Sequence, residues 1–293
     1  MRKIVAIVGP TASGKSDLAI RLAKELGAEI ISGDSIQVYR GFDIGSGKVS
    51  FKEMDGVIHH LIDIKNPRDQ YSVKEFQSLS REIIETTNKP IFFCGGTGLY
   101  LKAALYDYDF PKEEIARFDY SQFSNQELYQ KLKEVDPKQC EKIHPNNRQR
   151  LERSLTIYEQ SGVPQSTLVD RQEKKPIYDV CWLGIAWDRK VLYQRINTRV
   201  EKMIEAGLAK EVKWLLEHGS TFEDQAMKGI GYREWKDYFY GEQTLDQTKY
   251  LIQKNSRHFA KRQYTWFHHQ VPVNWISLSE EEKVIAKLKK WFG

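Results

Sequence analysis

Hydrophobic positions in this chain fall into short dense runs, separated by longer stretches where they recur every three or four residues. The first run, KIVAIV (Lys3 to Val8), reads as a buried strand. Leu18, Ala19, Leu22, Ala23 and Leu26 then form an apolar stripe at helical spacing, and Gly27 supplies a natural stop. AEIIS (Ala28 to Ser32) reads as a second strand. Helical spacing returns at Val73 to Thr86 and leads into KPIFFCGG, a third strand that ends in glycines. VCWLGIAW (Val180 to Trp187) is a later strand. Short apolar strands alternating with helices predict parallel βαβ units. The expected fold is therefore a wound α/β sheet that binds its ligand at the C-terminal ends of the strands.

The middle of the chain is patterned differently. Between Asp109 and Tyr178 no strand stands out, while SNQELYQKLKEV and NRQRLERSLTIYEQSG both read as amphipathic helices, the second closed by Gly162. Basic and acidic residues balance across this stretch, twelve of each. We expect residues 109–178 to form a helical insertion in a core built from residues 1–108 and 179–293. After the later strand, DRKVLYQRINTRVEKMIEAGLAKEVKWLLEHG predicts two long helices broken near Gly207. There is no internal repeat and no low-complexity segment.

Composition narrows the class. The chain has 293 residues, 40% hydrophobic and 29% charged, an ordinary globular balance. No apolar run approaches the roughly 20 residues that cross a bilayer. The N-terminal apolar run is followed by a glycine loop and not by a cleavage site, which argues for a strand and against a signal peptide. Cys94, Cys140 and Cys181 are far apart and odd in number, which fits a reducing cytoplasm and neither a disulfide framework nor a zinc module. With no large apolar stripe left over, a monomer is expected.

The net charge of +5 says little by itself, but its distribution says more. From Gln247 to Ser279 there is no Asp or Glu, while Lys249, Lys254, Arg257, Lys261 and Arg262 are interleaved with three histidines and six aromatics. Such a stretch suits a phosphate backbone with exposed bases, and it also suits a basic solvated helix face. On a helix, Lys254, Arg257, Lys261 and His268 share one side, and Phe259, Gln263 and Trp266 lie toward another.

The clearest chemical signal is GPTASGKS, Gly9 to Ser16, between the first strand and the first helix. It matches G-x-x-x-x-G-K-S, a loop whose backbone N–H groups wrap a phosphate at a helix N-terminus. Lys15 suits the terminal phosphate and the Ser16 hydroxyl suits Mg²⁺. Asp34, just past the second strand, serves either as a proton acceptor or metal-water ligand, or as a helix cap. The strand position where a nucleotide hydrolase carries a magnesium-binding Asp ends instead in Gly95, Gly96, Thr97 and Gly98, glycines that let backbone come close to a bulky ligand. His59, His60 and Asp63 offer metal binding or structural hydrogen bonds. Arg233, after two glycines, offers a contact to a leaving diphosphate or a surface salt bridge.

These segments resemble one family as a set. GPTASGKS, GDSIQVYRGFDIGSGK, HHLIDI, GGTGLYLKAAL, HPNNRQRLERSLTIYEQSG, AMKGIGYREW and FAKRQYTWF occur in the order found in tRNA dimethylallyltransferases, over nearly the whole chain. The resemblance implies a P-loop-like core, dimethylallyl diphosphate as donor, Mg²⁺ as cofactor, and the adenine 3′ of a tRNA anticodon as acceptor. It assigns Gly9, Pro10, Thr11, Ala12, Ser13, Gly14, Lys15 and Ser16 to the diphosphate, with Ser16 also toward the metal. It makes Asp34 the general base and sets Thr11 and Arg233 to steady the departing diphosphate. It assigns tRNA contacts to Asp34, Ser35, Ile36, Gln37, Thr97 and Arg117. Further tRNA contacts are Gln149, Arg150, Leu151, Glu152 and Arg153 in the insertion, and Ser256, Arg257, His258, Phe259, Ala260 and Lys261 near the C-terminus. Where the family often has I-G-T-A-K-P, this chain has Ile44-Gly45-Ser46-Gly47-Lys48-Val49, and Ile58 stands where Pro often precedes the paired histidines. Rival readings are a P-loop small-molecule kinase, an RNA-binding ATPase, and a prenyltransferase acting on free AMP.

Overall fold

A computed structural model describes every residue except 109, 111–117 and 171–174. Arg117 therefore lies outside the described residues. The chain divides into two compact units, Met1–Tyr106 with Pro176–Gly293, and Asp107–Lys175.

The larger unit begins with β1 (Lys3–Val8), α1 (Lys15–Leu26), β2 (Glu29–Ser32), β3 (His59–His60), α2 (Val73–Thr86), β4 (Ile91–Gly95) and α3 (Gly98–Leu105). The smaller unit interrupts it with α4 (Asn125–Val135), α5 (Pro137–Cys140), α6 (Arg148–Ser161) and α7 (Gln165–Asp170). The larger unit resumes with β5 (Asp179–Ile185), α8 (Arg189–Glu205), α9 (Leu208–Glu217), α10 (Lys236–Phe239), α11 (Leu245–Gln270), β6 (Asn274–Ile276) and α12 (Glu281–Phe292).

Among the described residues the strands form one parallel sheet in the order β3-β2-β4-β1-β5-β6. β1 is fully covered on both faces, which is why it reads as an unbroken apolar run. Ile4, Ala6 and Val8 enter one core with α2, α3, α9 and the inner side of α11. Val5 and Ile7 enter the other, with Leu18 and Leu22 of α1 and Val284 and Leu288 of α12. The connections leaving β1 and β4 run to opposite sides of the sheet, so a crevice opens at the C-terminal ends of these two neighbours.

The strands and helices expected from periodicity all form, with ends shifted by a residue or two. Several short elements, β3, α3, α5, α7 and α10 among them, are not expected from periodicity, and neither are β6 and α12. β6 has only three residues, and α12 is a short amphipathic helix at the very end of the chain. Gly27 and Gly162 close α1 and α6 in the left-handed conformation that a helix stop uses.

The smaller unit has its own small core of Leu128, Leu132, Ile143, Leu151 and Leu155. Ser124 and Glu127 cap α4 reciprocally. Buried Asp136 ties α5 to α7, accepting from the Ser166 N–H at 2.9 Å and its hydroxyl at 2.6 Å.

Candidate active site

The phosphate loop leaves β1 at Gly9 and enters α1 at Gly14, whose φ of 86° only glycine adopts without strain. Its outer carbonyls are held from elsewhere in the same unit. Trp187 Nε1 donates to the Ser13 carbonyl at 2.9 Å, and Arg195 Nε to the Ala12 carbonyl at 2.9 Å. The Arg195 guanidinium in turn lies 4.4 Å over the Trp187 ring.

The loop opens onto a cavity of about 280 Å³. Thr11, Lys15 and Ser16 line it from the loop side, and Asp34, Ser35, Ile36 and Gln37 from the turn after β2. Thr97 contributes from the end of β4, and Ser256 and Phe259 from α11. One cavity thus gathers residues assigned to the diphosphate with residues assigned to the tRNA. Gly9, Pro10, Ala12, Ser13 and Gly14 shape the loop behind this lining.

The charges explain what the cavity would accept. Lys15 is pushed below its usual range, chiefly by burial, and among the described residues its Nζ hydrogen-bonds the Pro10 carbonyl at 3.4 Å. Arg199, on α8, also lines the cavity, and burial lowers its pKa as well. Neither has a carboxylate within ion-pair distance among the described residues. Two desolvated cations without a partner anion are poised for an anionic ligand such as a diphosphate.

Asp34 caps its turn with a carboxylate that also lines the cavity. Its Oδ1 accepts from the N–H groups of Ile36 at 2.8 Å and Gln37 at 3.3 Å, which caps the turn and fixes the carboxylate. That held carboxylate faces the cavity and acts electrostatically on both Lys15 and Arg199. Gln37 is also fixed, accepting from the Ser32 hydroxyl and donating to the Gly47 carbonyl at 3.2 Å.

The glycines ending β4 approach protein more closely than expected for a ligand surface. A Cβ on Gly95 would stand 2.4 Å from the Gly33 carbonyl oxygen, and one on Gly98 would strike Trp266. Cys94, in the position of the missing Asp, lies beside Lys15 and Ser16, and burial pushes its thiol up to about 11.

Arg233 is not among the cavity-lining residues. Its side chain is 49% exposed and its Nε donates to Glu234 at 3.0 Å. The arginine that lines the cavity is Arg199. Nothing local in the sequence marks it, because an Arg on an amphipathic helix looks like a solvated charge. Lys228 also lines the cavity; it lies within the AMKGIGYREW segment, where Arg233 and not Lys228 draws the functional expectation.

The remaining assigned residues divide by exposure. On α11, Ser256 and Ala260 are buried, His258 and Lys261 are exposed, and Arg257 donates to Asn197 at 2.6 Å. On α6, Gln149, Arg150 and Arg153 are exposed and Glu152 pairs with Arg148 at 2.7 Å. Leu151 is fully buried in the helical core, so its side chain is out of reach of a partner. His59 and His60 use their rings structurally. His59 Nδ1 meets the Val57 carbonyl at 2.9 Å and His60 Nε2 meets Glu29 at 2.7 Å, while Asp63 pairs with Lys48.

A wound parallel sheet whose first strand runs into a G-x-x-x-x-G-K-S loop beside a cavity places the chain in the phosphate-loop class of folds. Family comparison specifies it further. The family described as IPP transferase matches residues 37–270, and that described as isopentenyl transferase matches residues 2–68. The tRNA dimethylallyltransferase of Geobacillus thermodenitrificans is 46% identical over 301 aligned positions, spanning 99% of this chain and 95% of its own. The crystal structure of the full-length tRNA isopentenylpyrophosphate transferase from Bacillus halodurans is 38% identical with a TM-score of 0.75, covering 99% of this chain and 96% of that one. A eukaryotic dimethylallyltransferase acting on tRNA superposes with a TM-score of 0.83 at 25% identity, covering 99% of this chain and 78% of that one. The chain belongs to the tRNA dimethylallyltransferase family.

Proposed function

We propose that this protein transfers a dimethylallyl group from dimethylallyl diphosphate to the exocyclic amine of the adenine 3′ of a tRNA anticodon. The observation that carries the reading is the single cavity in which Lys15, Ser16 and Arg199 meet Asp34, Thr97 and Phe259. In the reaction the amine nitrogen bonds the allylic carbon as the carbon–oxygen bond to diphosphate breaks. The amine proton passes to Asp34, whose Oδ1 is held by two backbone N–H groups. Lys15 and Arg199 balance the charge growing on the diphosphate, the role in which desolvated cations are most effective. Thr11 lines the same side, and Arg233 serves the leaving group only if its exposed side chain turns from Glu234. Water is kept from the allylic centre by the enclosing apolar wall of Ile196, Val200, Met203 and Ile252.

Mg²⁺ suits the site because that ion uses one or two protein ligands with substrate phosphates and waters, and the Ser16 hydroxyl lies where the phosphates would sit. When bound it would neutralise diphosphate charge. Among the described residues no cluster of three or more His, Cys, Asp or Glu offers an all-protein metal cage. The acceptor adenine must leave its stack to reach the cavity. The exposed basic side of α11 supports tRNA as acceptor over free AMP or a small kinase substrate, and the exposed residues of α6 add a second basic surface for it. No described helix is long and apolar enough to cross a membrane. A tRNA substrate would place the protein in the cytoplasm, acting as a monomer.

The test is Asp34→Asn. It keeps the capping oxygen and removes the base, so transfer should fall at least about a hundredfold while anticodon stem-loop RNA still binds. Transfer within a few-fold of the unaltered protein would remove Asp34 from the base role.

A further inference from the structure

Gln263 lies on the inner side of α11, 5% exposed, and it also lines the cavity. Its amide is used at both ends. Oε1 accepts the Thr11 N–H at 2.9 Å, and Nε2 donates to the Gly96 carbonyl at 3.0 Å. Thr11 is the third residue of the phosphate loop, and Gly96 precedes Thr97 in the turn after β4. A Cβ on Gly96 would stand 2.1 Å from Nε2, so the glycine is what admits the amide. Trp187 and Arg195 hold the next two residues of the loop by their carbonyls. Gln263 holds the loop's N-terminal end from the helix whose opposite side carries Lys261 and Arg262.

The choice of side chain is chemically narrow. At neutral pH an amide presents a neutral acceptor and a neutral donor side by side, which an ionised carboxylate does not. An aliphatic side chain would leave a part-buried N–H and a buried carbonyl without this partner. A carboxylate would still accept from Thr11, but it would face the Gly96 carbonyl with no proton to give and would add negative charge beside the anion site.

We propose that Gln263 is a positioning residue for the donor. By joining Thr11 to Gly96 it fixes the phosphate loop against the turn that carries Thr97, and so sets the loop's affinity for diphosphate. The identity of the ligand rests on the functional reading above.

The experiment compares the full chain with Gln263→Leu and Gln263→Glu. Calorimetric titration with inorganic diphosphate and Mg²⁺ reads the loop, fluorescence anisotropy with anticodon stem-loop RNA reads the acceptor side, and thermal melts confirm folding. Gln263→Leu should weaken diphosphate about ten- to a hundredfold and change RNA affinity less than about threefold, because the unpaired groups lie at the loop. Gln263→Glu should be as weak at pH 8 and recover toward the unaltered protein as pH falls, because a protonated carboxyl again donates and accepts. Lys15 on α1, Asp34 after β2, His59 on β3, Cys94 on β4, Arg199 on α8 and Lys228 are the titratable and charged groups lining the same cavity. Dividing by the unaltered protein's profile removes their titration. Unchanged diphosphate affinity in Gln263→Leu would overturn the proposal. So would no recovery of Gln263→Glu at low pH, or equal loss of diphosphate and RNA binding in step with the melting temperature. Diphosphate binding is read without any transfer. An unaltered protein that bound diphosphate but did not prenylate tRNA would therefore count against the functional reading and not against Gln263.

Discussion

Arg199→Gln should separate stability from activity in opposite directions. Burial lowers the Arg199 pKa, while Asp34 and Asp17 act on it only from beyond ion-pair distance. The free protein therefore carries a desolvation cost that an anion would relieve. Replacing the guanidinium with a neutral amide removes that cost, so the melting temperature should stay the same or rise. Transfer should suffer, because a charge-assisted contact to a departing diphosphate contributes about 2 to 4 kcal/mol. That corresponds to a fall of about 30- to 1,000-fold in kcat/KM. The assay is steady-state transfer to unmodified tRNA beside thermal melts and diphosphate titration. Arg199→Lys should recover part of the loss, since the charge remains without the planar fork. The parallel variant Arg233→Gln, outside the cavity and half-exposed, should change kcat/KM less than about fivefold, within the range of an exposed ion pair. Near-normal kcat/KM in Arg199→Gln, or a loss matched by lower stability, would refute the reasoning. A large loss in Arg233→Gln would return the leaving-group role to that residue.

Other expectations follow from the same geometry. Lys261→Ala combined with Arg262→Ala should weaken tRNA binding and reduce its logarithmic salt slope by about one to two, and an unchanged slope would count against α11 as the RNA contact. Glu211 accepts from the N–H groups of Asp43, Ile44 and Gly45 and from the Tyr232 hydroxyl. Glu211→Ala should therefore destabilise the protein by about 1 to 3 kcal/mol in urea unfolding and loosen the cavity wall at Gly45 and Ser46. The Cys94 thiol, raised by burial to about 11, keeps its proton in the folded chain at a pH where the unfolded chain has lost it. Its contribution to stability is present below pH 9 and lost as pH rises toward 11, and Cys94→Ala should flatten that part of the stability profile.

Features that depend on neighbours along the chain are legible in the sequence itself. The phosphate loop needs only its spacing between a strand and a helix, and the strand-helix alternation needs only local periodicity. The acid-free stretch shows which side of α11 is basic. Features that depend on the fold's closure are not legible there. Arg199 reaches the cavity because α8 packs against α11, and no residue near it in sequence says so. Gln263 reads as one more polar residue on a helix until burial places its amide between two backbone segments. Arg233 shows the reverse case, a residue with a sequence signal that does not line the cavity. Its glycine-rich setting suggests a phosphate contact, while the adjacent Glu234 is available as its partner. The glycines after β4 do mark a close approach, but much of what approaches is Gly33, Gln263 and Trp266.

The most direct measurement is the product itself. Unmodified tRNA with adenines on the 3′ side of its anticodon is incubated with the protein, Mg²⁺ and dimethylallyl diphosphate, then digested to nucleosides and read by mass spectrometry. The expected product is one dimethylallyl group on the exocyclic amine of the adenine next to the anticodon, with stoichiometric diphosphate, and little product from free AMP. Unmodified tRNA beside efficient prenylation of AMP, or beside ATP turnover, would contradict it.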